Sequence, residues 1–148
     1  MQAPTPRRFT IRVYGICIRD SHVLLCEEGH EDFRFVKFPG GGLEFGEGLH
    51  DALKREFEEE LDTHFGHAEL FYVNEFFQAS AFDAQAQVVS VYYLVHSLNP
   101  EPTAYKMEMR GGKPYEMKFI WKPLEELDES LLTFPIDRKV AAKLSALR

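Results

Sequence analysis

Residues 41–63 read GGLEFGEGLHDALKREFEEELDT and combine a glycine-rich turn, a helix and a cluster of carboxylates. From Leu49 onward the spacing predicts an α-helix, because at ~100° per residue the apolar side chains fall on one broad face. The residues on that face are Leu49, Ala52, Leu53, Phe57 and Leu61. We therefore expect a helix that packs this face against a core and that follows a turn of glycines.

Three glutamates of this helix, Glu56, Glu59 and Glu60, share one patch that overlaps the edge of the apolar face, whereas Glu58 points toward solvent. Their like charges repel each other, and the helix dipole disfavours anions near its C-terminus. Partial burial raises the cost of each charge further. A hard cation such as Mg²⁺ or Mn²⁺ would offset all three costs, because it prefers oxygen ligands. Glu47, in the preceding turn, could add a fourth carboxylate.

The alternative is a solvated acidic helix held by pairs of opposite charge four residues apart, such as Asp51 with Arg55. That interpretation accounts for a run of glutamates. It does not account for their placement beside the apolar face or for the glycine turn before them. The sequence therefore favours a metal site.

The segment resembles the signature of the Nudix hydrolases. That signature is a glycine, five residues, a glutamate, seven residues, and then Arg-Glu-apolar-x-Glu-Glu-x-Gly-apolar. Here it runs from Gly41 through Glu47 to the stretch 55–63, and Phe38-Pro39-Gly40 resembles the usual lead-in. The last two positions depart from the pattern, since Asp62 and Thr63 replace the glycine and the apolar residue.

The glycine of the signature normally ends the helix in a left-handed conformation. Aspartate tolerates that conformation better than most residues, so we expect the helix to end at Asp62, or one turn later at Gly66. The departure affects local packing and removes none of the expected carboxylates.

The resemblance implies an α/β fold, a Nudix-like α/β/α sandwich with a mixed sheet. It also implies hydrolysis of a nucleoside diphosphate linked to another group, with Mg²⁺ as cofactor and Mn²⁺ as a substitute. The expected metal ligands are Glu56, Glu59 and Glu60, with the backbone carbonyl of Gly41 as a further ligand. Glu47 is expected either to bind the metal as well or to support its ligands from outside. Arg55 is expected to hold a glutamate in place by a charge-assisted hydrogen bond.

The base that activates water is left open by the sequence. In some family members a glutamate outside the signature serves, from a loop near the final strand. Glu116 is the best placed here, Glu101 and Glu108 share the preceding loop, and Glu59 could itself serve.

Outside the signature, apolar and β-branched stretches predict strands at 9–19, 23–26, 33–38, 68–78, 87–98 and 115–122. Loops are expected at 79–86 and 101–114, and a single helical turn at 123–127. Pro135 is expected to start a final helix with Ile136, Val140 and Leu144 or Leu147 facing inward, a face that could also form a homodimer. This order of elements resembles the Nudix sandwich over nearly the whole chain.

Composition indicates an ordinary soluble enzyme, with 45% hydrophobic residues in a chain of 148, and we expect a single domain spanning residues 1–148. The net charge of −7 argues against binding to extended nucleic acid. No stretch is long enough to span a membrane and the N-terminus lacks an apolar signal segment, so we expect a cytoplasmic protein. Cys17 and Cys26 lie in apolar segments, which predicts buried, reduced thiols.

The identity of the substrate is left open. A base could stack on an aromatic side chain such as Phe9, Tyr14, Phe33 or Phe35, and phosphates could bind Arg12, Arg34 or Lys37. ADP-ribose hydrolases of the family carry a proline where this chain has Gln78, and residues 79–81 lack the tyrosine that suggests dinucleoside polyphosphates. A catalytically silent nucleotide-binding sensor is the alternative function. The retained carboxylates and Arg55 favour the enzyme.

Overall fold

The computed structural model describes residues 5–147, so positions 1–4 and 148 of the expected single domain lie outside it. The strands in that range are β1 (Arg8–Arg19), β2 (His22–His30), β3 (Phe33–Lys37), β4 (Gly40–Gly42), β5 (His67–Val73), β6 (Ala86–His96), β7 (Tyr105–Arg110) and β8 (Lys113–Pro123). The α-helices are α1 (Leu49–Leu61) and α2 (Pro135–Ala146), and short 3₁₀ turns span Leu124–Glu126 and Glu129–Leu131. None of the helices within 5–147 is long and apolar enough to cross a membrane.

The strands form one mixed sheet in the order β5-β6-β1-β2-β8-β7, with β3 paired to β2 and β4 paired to β1. β1 and β6 run parallel, from the pair Arg8 and Ala86 to the pair Cys17 and Val95. The remaining pairs are antiparallel. Because β4 pairs with the middle of β1, the glycine turn is held against the centre of the sheet before α1 begins.

The two helices cover opposite faces of the sheet. Side chains alternate along β1, so that Val13 and Cys17 pack with α1 while Tyr14 and Ile16 pack with α2. The buried apolar side chains of the helices are Ala52, Leu53, Phe57 and Leu61 in α1, and Ile136, Val140, Ala141 and Leu144 in α2. This arrangement is the α/β/α sandwich that the resemblance implied.

The inward face predicted for α2 is confirmed with Leu144 as its last buried member, since Leu147 is exposed. The apolar side chains of α2 are used in the core, so the structure gives no support to α2 as a dimer face. Cys17 and Cys26 are buried free thiols, as predicted, and burial raises the pKa of both.

The prediction of a loop over 101–114 is wrong, because Tyr105–Arg110 forms the edge strand β7. β7 pairs with β8 through a tight turn at Gly111 and Gly112, which have φ values of 60° and 77°. A two-residue hairpin turn that matches the twist of its strands can require positive φ at both residues, as found here. Tyr105, Met107 and Met109 do alternate with charged residues, but this short alternation lies in a polar stretch bounded by glycines and prolines, which favoured a loop, and most of its side chains are exposed.

Two other strand boundaries also differ from prediction. β2 continues past Cys26 to His30, and β5 ends at Val73 instead of reaching Gln78. After Val73, hydrogen bonds from the buried Asn74 side chain to the backbone of β6 replace the backbone pairing of β5 with β6. Its Oδ1 accepts from the backbone N–H of Ser90 at 2.8 Å, and its Nδ2 donates to the carbonyl of Val88 at 3.1 Å.

The predicted start of α1 at Leu49 and its end at Asp62 are both confirmed. Asp62 adopts a left-handed conformation, with φ 50° and ψ 41°, and its backbone N–H donates to the carbonyl of Phe57. Its carboxylate accepts from Thr103 Oγ1 at 2.9 Å and lies 3.2 Å from Lys106 Nζ. The aspartate therefore ends the helix and also attaches it to the segment that enters β7.

Asp62→Ala is expected to lower the melting temperature by about 2–4 °C, because alanine is strained at positive φ. It would also lose the contacts to Thr103 and Lys106. Asp62→Gly should melt above the alanine variant, since glycine adopts this conformation without strain. Hydrolytic activity should be unchanged in both, and a large loss in either would mean that Asp62 belongs to the active site. Thermal unfolding and steady-state kinetics of the two variants test this.

Candidate active site

A cavity of about 690 Å³ is lined by β1 to β4, by α1, by β6, by the loop 78–83, by the start of α2 and by one residue each of β7 and β8, Arg110 and Tyr115. One part of its wall is acidic and glycine-rich, with Glu28, Glu56, Glu60 and the strand Gly40–Gly42. Another part is aromatic, and its residues are Phe35, Phe82, Tyr92 and Phe134. The basic residues Arg12, Lys37 and Arg110 also line the cavity. A ligand that carries both phosphates and an aromatic ring matches such a wall.

Gly41 lies directly over the carboxylate of Glu56. A Cβ atom added at Gly41 would be 2.4 Å from Glu56 Oε1, closer than real atoms pack. Glu56 is only 9% exposed, so its carboxylate cannot move away into bulk water without leaving the cavity wall. The glycine of the signature is therefore required by the approach of the backbone to this carboxylate.

Arg55 contacts three carboxylates of the signature, those of Glu47, Glu56 and Glu59. Its Nε and Nη2 donate to the two oxygens of Glu47 at 2.7 and 2.9 Å, and Nη2 also donates to the carbonyl of Gly42 at 2.9 Å. Its Nη1 contacts Glu56 Oε1 at 3.1 Å and Glu59 Oε2 at 3.4 Å. The hydrogen bonds from Arg55 lower the pKa of Glu47. Arg55 thus contacts three of the predicted ligands, whereas the resemblance implied that it would hold one glutamate.

The alternative partner of Arg55, Asp51, has a different role. Its Oδ2 accepts from the backbone N–H of Gly48 at 3.0 Å and completes the N-terminal cap of α1. The pairing of Arg55 with Asp51 that a simple acidic helix would use is therefore replaced by the contacts to Glu47, Glu56 and Glu59.

The predicted patch of three glutamates is divided in the structure. Glu56 and Glu60 line the cavity, whereas the side chain of Glu59 is 60% exposed and is not part of the lining. Burial raises the pKa of Glu60, and the like charges of Glu28 and Glu56 add to this effect. Within residues 5–147 no three acidic, histidine or cysteine side chains are already gathered as a metal cluster. Even so, Glu56 and Glu59 are close enough to share one nitrogen of Arg55.

Sequence reasoning missed Glu28, which joins Lys37 in a buried ion pair beside these carboxylates. Lys37 Nζ is 3.1 Å from Glu28 Oε1 and donates to the carbonyl of Gly40 at 3.1 Å. The other carboxylate oxygen, Glu28 Oε2, accepts from the hydroxyl of Tyr115. Burial works against both charges, but their mutual attraction lowers the pKa of Glu28 and raises that of Lys37. Lys37 therefore connects the backbone of the glycine turn, at Gly40, to the buried Glu28.

Only the length of β2 could have identified Glu28 in advance. The predicted strand stopped at Cys26, and a glutamate beyond the end of a strand is normally solvated. Once β2 extends to His30, Glu28 points to the same side as Cys26, which is buried.

The structure does not bring Glu116 to the carboxylates of the signature. Glu116 forms an ion pair with Arg34 and accepts from the hydroxyl of Tyr105 at 2.6 Å, in a separate cavity that also involves His30 and Lys113. These hydrogen bonds lower its pKa. Along β8 the adjacent Tyr115 points to Glu28, so Glu116 points away from that site. Its role as general base stays a prediction that its position does not favour.

The other candidates from the sequence also separate into two groups. The residues that line the main cavity are Arg12, Tyr14, Phe33, Phe35 and Lys37. Phe9 is 71% exposed outside it, and Arg34 lies with Glu116. Glu101 pairs with Arg19, and Glu108 with Arg110.

Asp137, in the first turn of α2, is a second buried acid that the sequence did not identify. It is 2% exposed, lines the cavity, and its Oδ1 accepts from the hydroxyl of Tyr92. Burial raises the pKa of Asp137 to about 6, although the hydrogen bond from Tyr92 works in the opposite direction. A carboxyl group whose pKa is higher in the folded state than in the unfolded state destabilises the fold once it ionises.

Asp137→Asn is therefore expected to stabilise the protein at pH 7.5. The pKa of Asp137 rises from an ordinary 3.8 to about 6 in the folded protein. The destabilisation therefore develops as pH rises between these two values, and it reaches roughly 3 kcal/mol at most. The amide keeps an acceptor for Tyr92, so the variant should gain about 1–3 kcal/mol at pH 7.5 and much less at pH 4. Urea unfolding at several pH values measures this. Asp128→Asn is the control, because hydrogen bonds from Ser130 lower the pKa of Asp128, and this change should not stabilise.

A family model described as the NUDIX domain matches residues 8–144 of the chain. No curated protein matches the sequence.

Solved structures with the same fold include MutT, described from the fish pathogen Aliivibrio salmonicida and from Vibrio cholerae. It has a TM-score of 0.68 and 22% identity, over 95% of this chain and 99% of that chain. The MutT NUDIX hydrolase of Burkholderia pseudomallei has a TM-score of 0.69 and 21% identity, over 92% of this chain and 97% of that chain. The ORF135 protein of E. coli has a TM-score of 0.73 and 20% identity, over 95% of this chain and 91% of that chain.

The family match spans most of the chain, and the fold, the glycine turn and the signature helix agree with it. The chain therefore belongs to the Nudix family.

Proposed function

We propose that this protein hydrolyses a pyrophosphate bond in a nucleoside diphosphate derivative, with Mg²⁺ as cofactor and Mn²⁺ as a substitute. The observation that carries the proposal is the single cavity in which Glu56, Glu60 and the Gly40–Gly42 strand lie near an aromatic wall. Acidic oxygens suit a metal bound to phosphates, and aromatic rings suit a base.

The residues present fit a hard divalent cation. The donors near Gly41 are carboxylate and carbonyl oxygens, which Mg²⁺ prefers, and the two cysteines are buried away from solvent. Because Gly41 has no Cβ, its backbone can lie close to the carboxylate of Glu56. Gly41, Glu47, Glu56, Glu59 and Glu60 would hold the ion. When bound, the ion would neutralise phosphate charge and make a water molecule more acidic.

The protein itself would supply positioning and charge. Arg55 holds Glu47, Glu56 and Glu59 close together. Arg12 and Lys37 add positive charge for the phosphates, and the ion pair of Lys37 with Glu28 fixes the glycine turn. For the base that accepts a proton from water, Glu59 is better placed than Glu116, because it shares Arg55 with Glu56.

The alternative is a silent Nudix domain that binds a nucleotide as a sensor. The complete set of signature carboxylates, together with Arg55, favours the enzyme, because a sensor needs no such cluster. For the partners, we propose a small nucleotide derivative, no membrane and no extended nucleic acid, consistent with the net charge of −7. We also propose a cytoplasmic location, from the sequence alone.

The test is incubation with Mg²⁺ and a panel of nucleoside triphosphates, nucleotide sugars, ADP-ribose, NADH and dinucleoside polyphosphates, with and without EDTA. Cleavage that EDTA abolishes is expected for at least one group, and the products identify the bond. Cleavage that continues in EDTA would contradict the metal site. No cleavage of any group, with a shift in melting temperature on adding nucleotide, would favour the sensor.

A further inference from the structure

β7 lies at the edge of the sheet, and its pairing with β8 shows which of its backbone groups are used. Within residues 5–147, β8 is the one strand that pairs with β7. Arg110 and Lys113 flank the two-residue turn and so form a hydrogen-bonded pair, and further along the N–H of Phe119 donates to the carbonyl of Ala104. Because such pairs alternate, the even-numbered residues of β7 bond to β8, and the odd-numbered residues point their N–H and C=O groups away from it.

The outward-facing backbone groups belong to Tyr105, Met107 and Met109. Met109 lies opposite Pro114, which has no N–H, as expected at a pair that exchanges no hydrogen bonds. In the described part of the chain, none of the three residues forms a backbone hydrogen bond to a turn, a loop or another strand. Their N–H and C=O groups therefore form an unpaired row along the edge, which can accept another strand.

The side chains of β7 form an apolar row and a charged row on opposite faces of the sheet. The apolar side chains are half exposed or more, with values of 50%, 53% and 61% for Tyr105, Met107 and Met109. The charged row runs plus, minus, plus, and its members are Lys106, Glu108 and Arg110. Charges on an edge strand usually prevent pairing with other chains. On β7 they should prevent every pairing except one that brings opposite charges together.

An antiparallel second copy of β7 meets this requirement when Met107 lies opposite Met107. This register pairs outward-facing backbone groups with outward-facing groups, as an antiparallel ladder needs. Lys106 of each copy then lies opposite Glu108 of the other, and Tyr105 lies opposite Met109, which places an aromatic ring beside a thioether. Every contact occurs twice, which is the self-complementarity that a two-fold dimer requires.

The same charges disfavour the neighbouring registers. A shift of two residues in one direction places Glu108 opposite Glu108 and Lys106 opposite Arg110, and the reverse shift places Lys106 opposite Lys106. Like charges directly opposite each other destabilise a pair of strands. A shift of one residue brings outward-facing groups against groups that already bond to β8. The charge order of β7 therefore selects the register centred on Met107.

We propose that two copies of this protein associate through β7, in the antiparallel register centred on Met107, so that their two sheets continue into one. This surface is separate from α2, whose apolar side chains are used in the core. Each copy contributes one strand of six residues, a contact at the low end of specific interfaces. We therefore expect a reversible dimer with a dissociation constant of about 10–100 µM.

Sedimentation equilibrium from about 1 µM to 1 mM, a range that brackets this constant, tests the association. The average mass should rise with concentration from 17.1 kDa toward twice that value. K106E and E108K each place like charges opposite each other, so each should weaken the dimer by about tenfold or more. E125K is the matched control for E108K, because it makes the same charge change at an exposed residue beyond the end of β8, and it should leave the dimer unchanged.

Mixing the two charge variants distinguishes strand pairing from a general loss of fold. In a 1:1 mixture of K106E and E108K, one strand carries glutamates at positions 106 and 108 and the other carries lysines at both. Opposite charges then meet at each pair, so the mixture should associate with an affinity close to that of the wild type. The double variant K106E/E108K should associate with itself for the same reason.

M107P provides an independent test that changes no charge. The N–H that proline removes faces outward, so the bonds of β7 to β8 are kept and the monomer should stay folded by thermal melting. The dimer should be lost, because the central pair of the register loses its hydrogen bonds. Since Lys106 also contacts Asp62 and the carbonyl of Glu59, K106E is the variant whose folding is checked first.

A wild type that stays at 17.1 kDa over the whole concentration range overturns the proposal. A dimer that survives in M107P or in the single charge variants overturns it as well, because the contact then lies elsewhere. Loss of the dimer in both charge variants without recovery in their mixture overturns the register centred on Met107. Should K106E not fold, loss of the dimer in both E108K and M107P supports the proposal, and its retention in either one overturns it.

Discussion

Glu59→Gln is expected to lower kcat/KM with Mg²⁺ by about 1,000-fold or more, equivalent to about 4 kcal/mol of transition-state stabilisation. The substitution keeps the size of the side chain and removes the charge that a metal ligand or a base needs. Because the Glu59 side chain is 60% exposed, the fold loses little. The melting temperature without metal should therefore stay near that of the wild type, while the stabilisation that Mg²⁺ gives should shrink.

Glu58→Gln is the matched control for this experiment. It makes the same chemical change one residue earlier on the helix, where the side chain points away from the cavity and lies 3.3 Å from His64. Activity and the response to Mg²⁺ should be unchanged in this variant. If Glu59→Gln keeps near-normal turnover, or if both variants lose activity to the same extent, the assignment of Glu59 to the metal site is wrong.

The signature and its immediate consequences could be predicted because they depend on short-range geometry. The helix period fixed the apolar face of α1, and the conformational preference of aspartate placed its end at Asp62. The role of Arg55 followed from the resemblance, and the structure adds which atoms it contacts. Spacing along one helix is enough for inferences of this kind, since residues three and four apart are neighbours wherever the helix lies.

The rest of the site depends on contacts between residues distant in sequence. Lys37 and Glu28 meet because β2 and β3 pair in one particular register, and Asp137 meets Tyr92 because α2 packs on β6. In a sequence, an acidic residue that will be buried cannot be distinguished from one at the surface while its partner is unknown. The same limit explains Glu116, since a shift of one residue along β8 decides whether a side chain faces the cavity.

Gly41→Ala is expected to lower kcat/KM by about 100-fold, the loss that a displacement of roughly 1 Å in an active site can cause. The new Cβ would lie 2.4 Å from Glu56 Oε1 and 2.6 Å from its Cδ, so the carboxylate must move. The backbone of Gly41 is an ordinary strand, paired with Val13 in β1, which alanine can adopt. Because the flexible end of Glu56 can give way, stability should fall much less than activity.

Gly42→Ala separates this displacement from any general effect of stiffening the turn. A Cβ at Gly42 would have Arg12 Nη1 as its nearest neighbour, at 3.8 Å, which is an ordinary contact. The variant should keep activity within a few-fold of the wild type, so the two adjacent alanines should differ by more than tenfold. Steady-state kinetics over a range of Mg²⁺ concentrations make the comparison. Equal losses in the two variants would show that the turn needs flexible glycines, and that the close approach of Gly41 to Glu56 does not set the metal site.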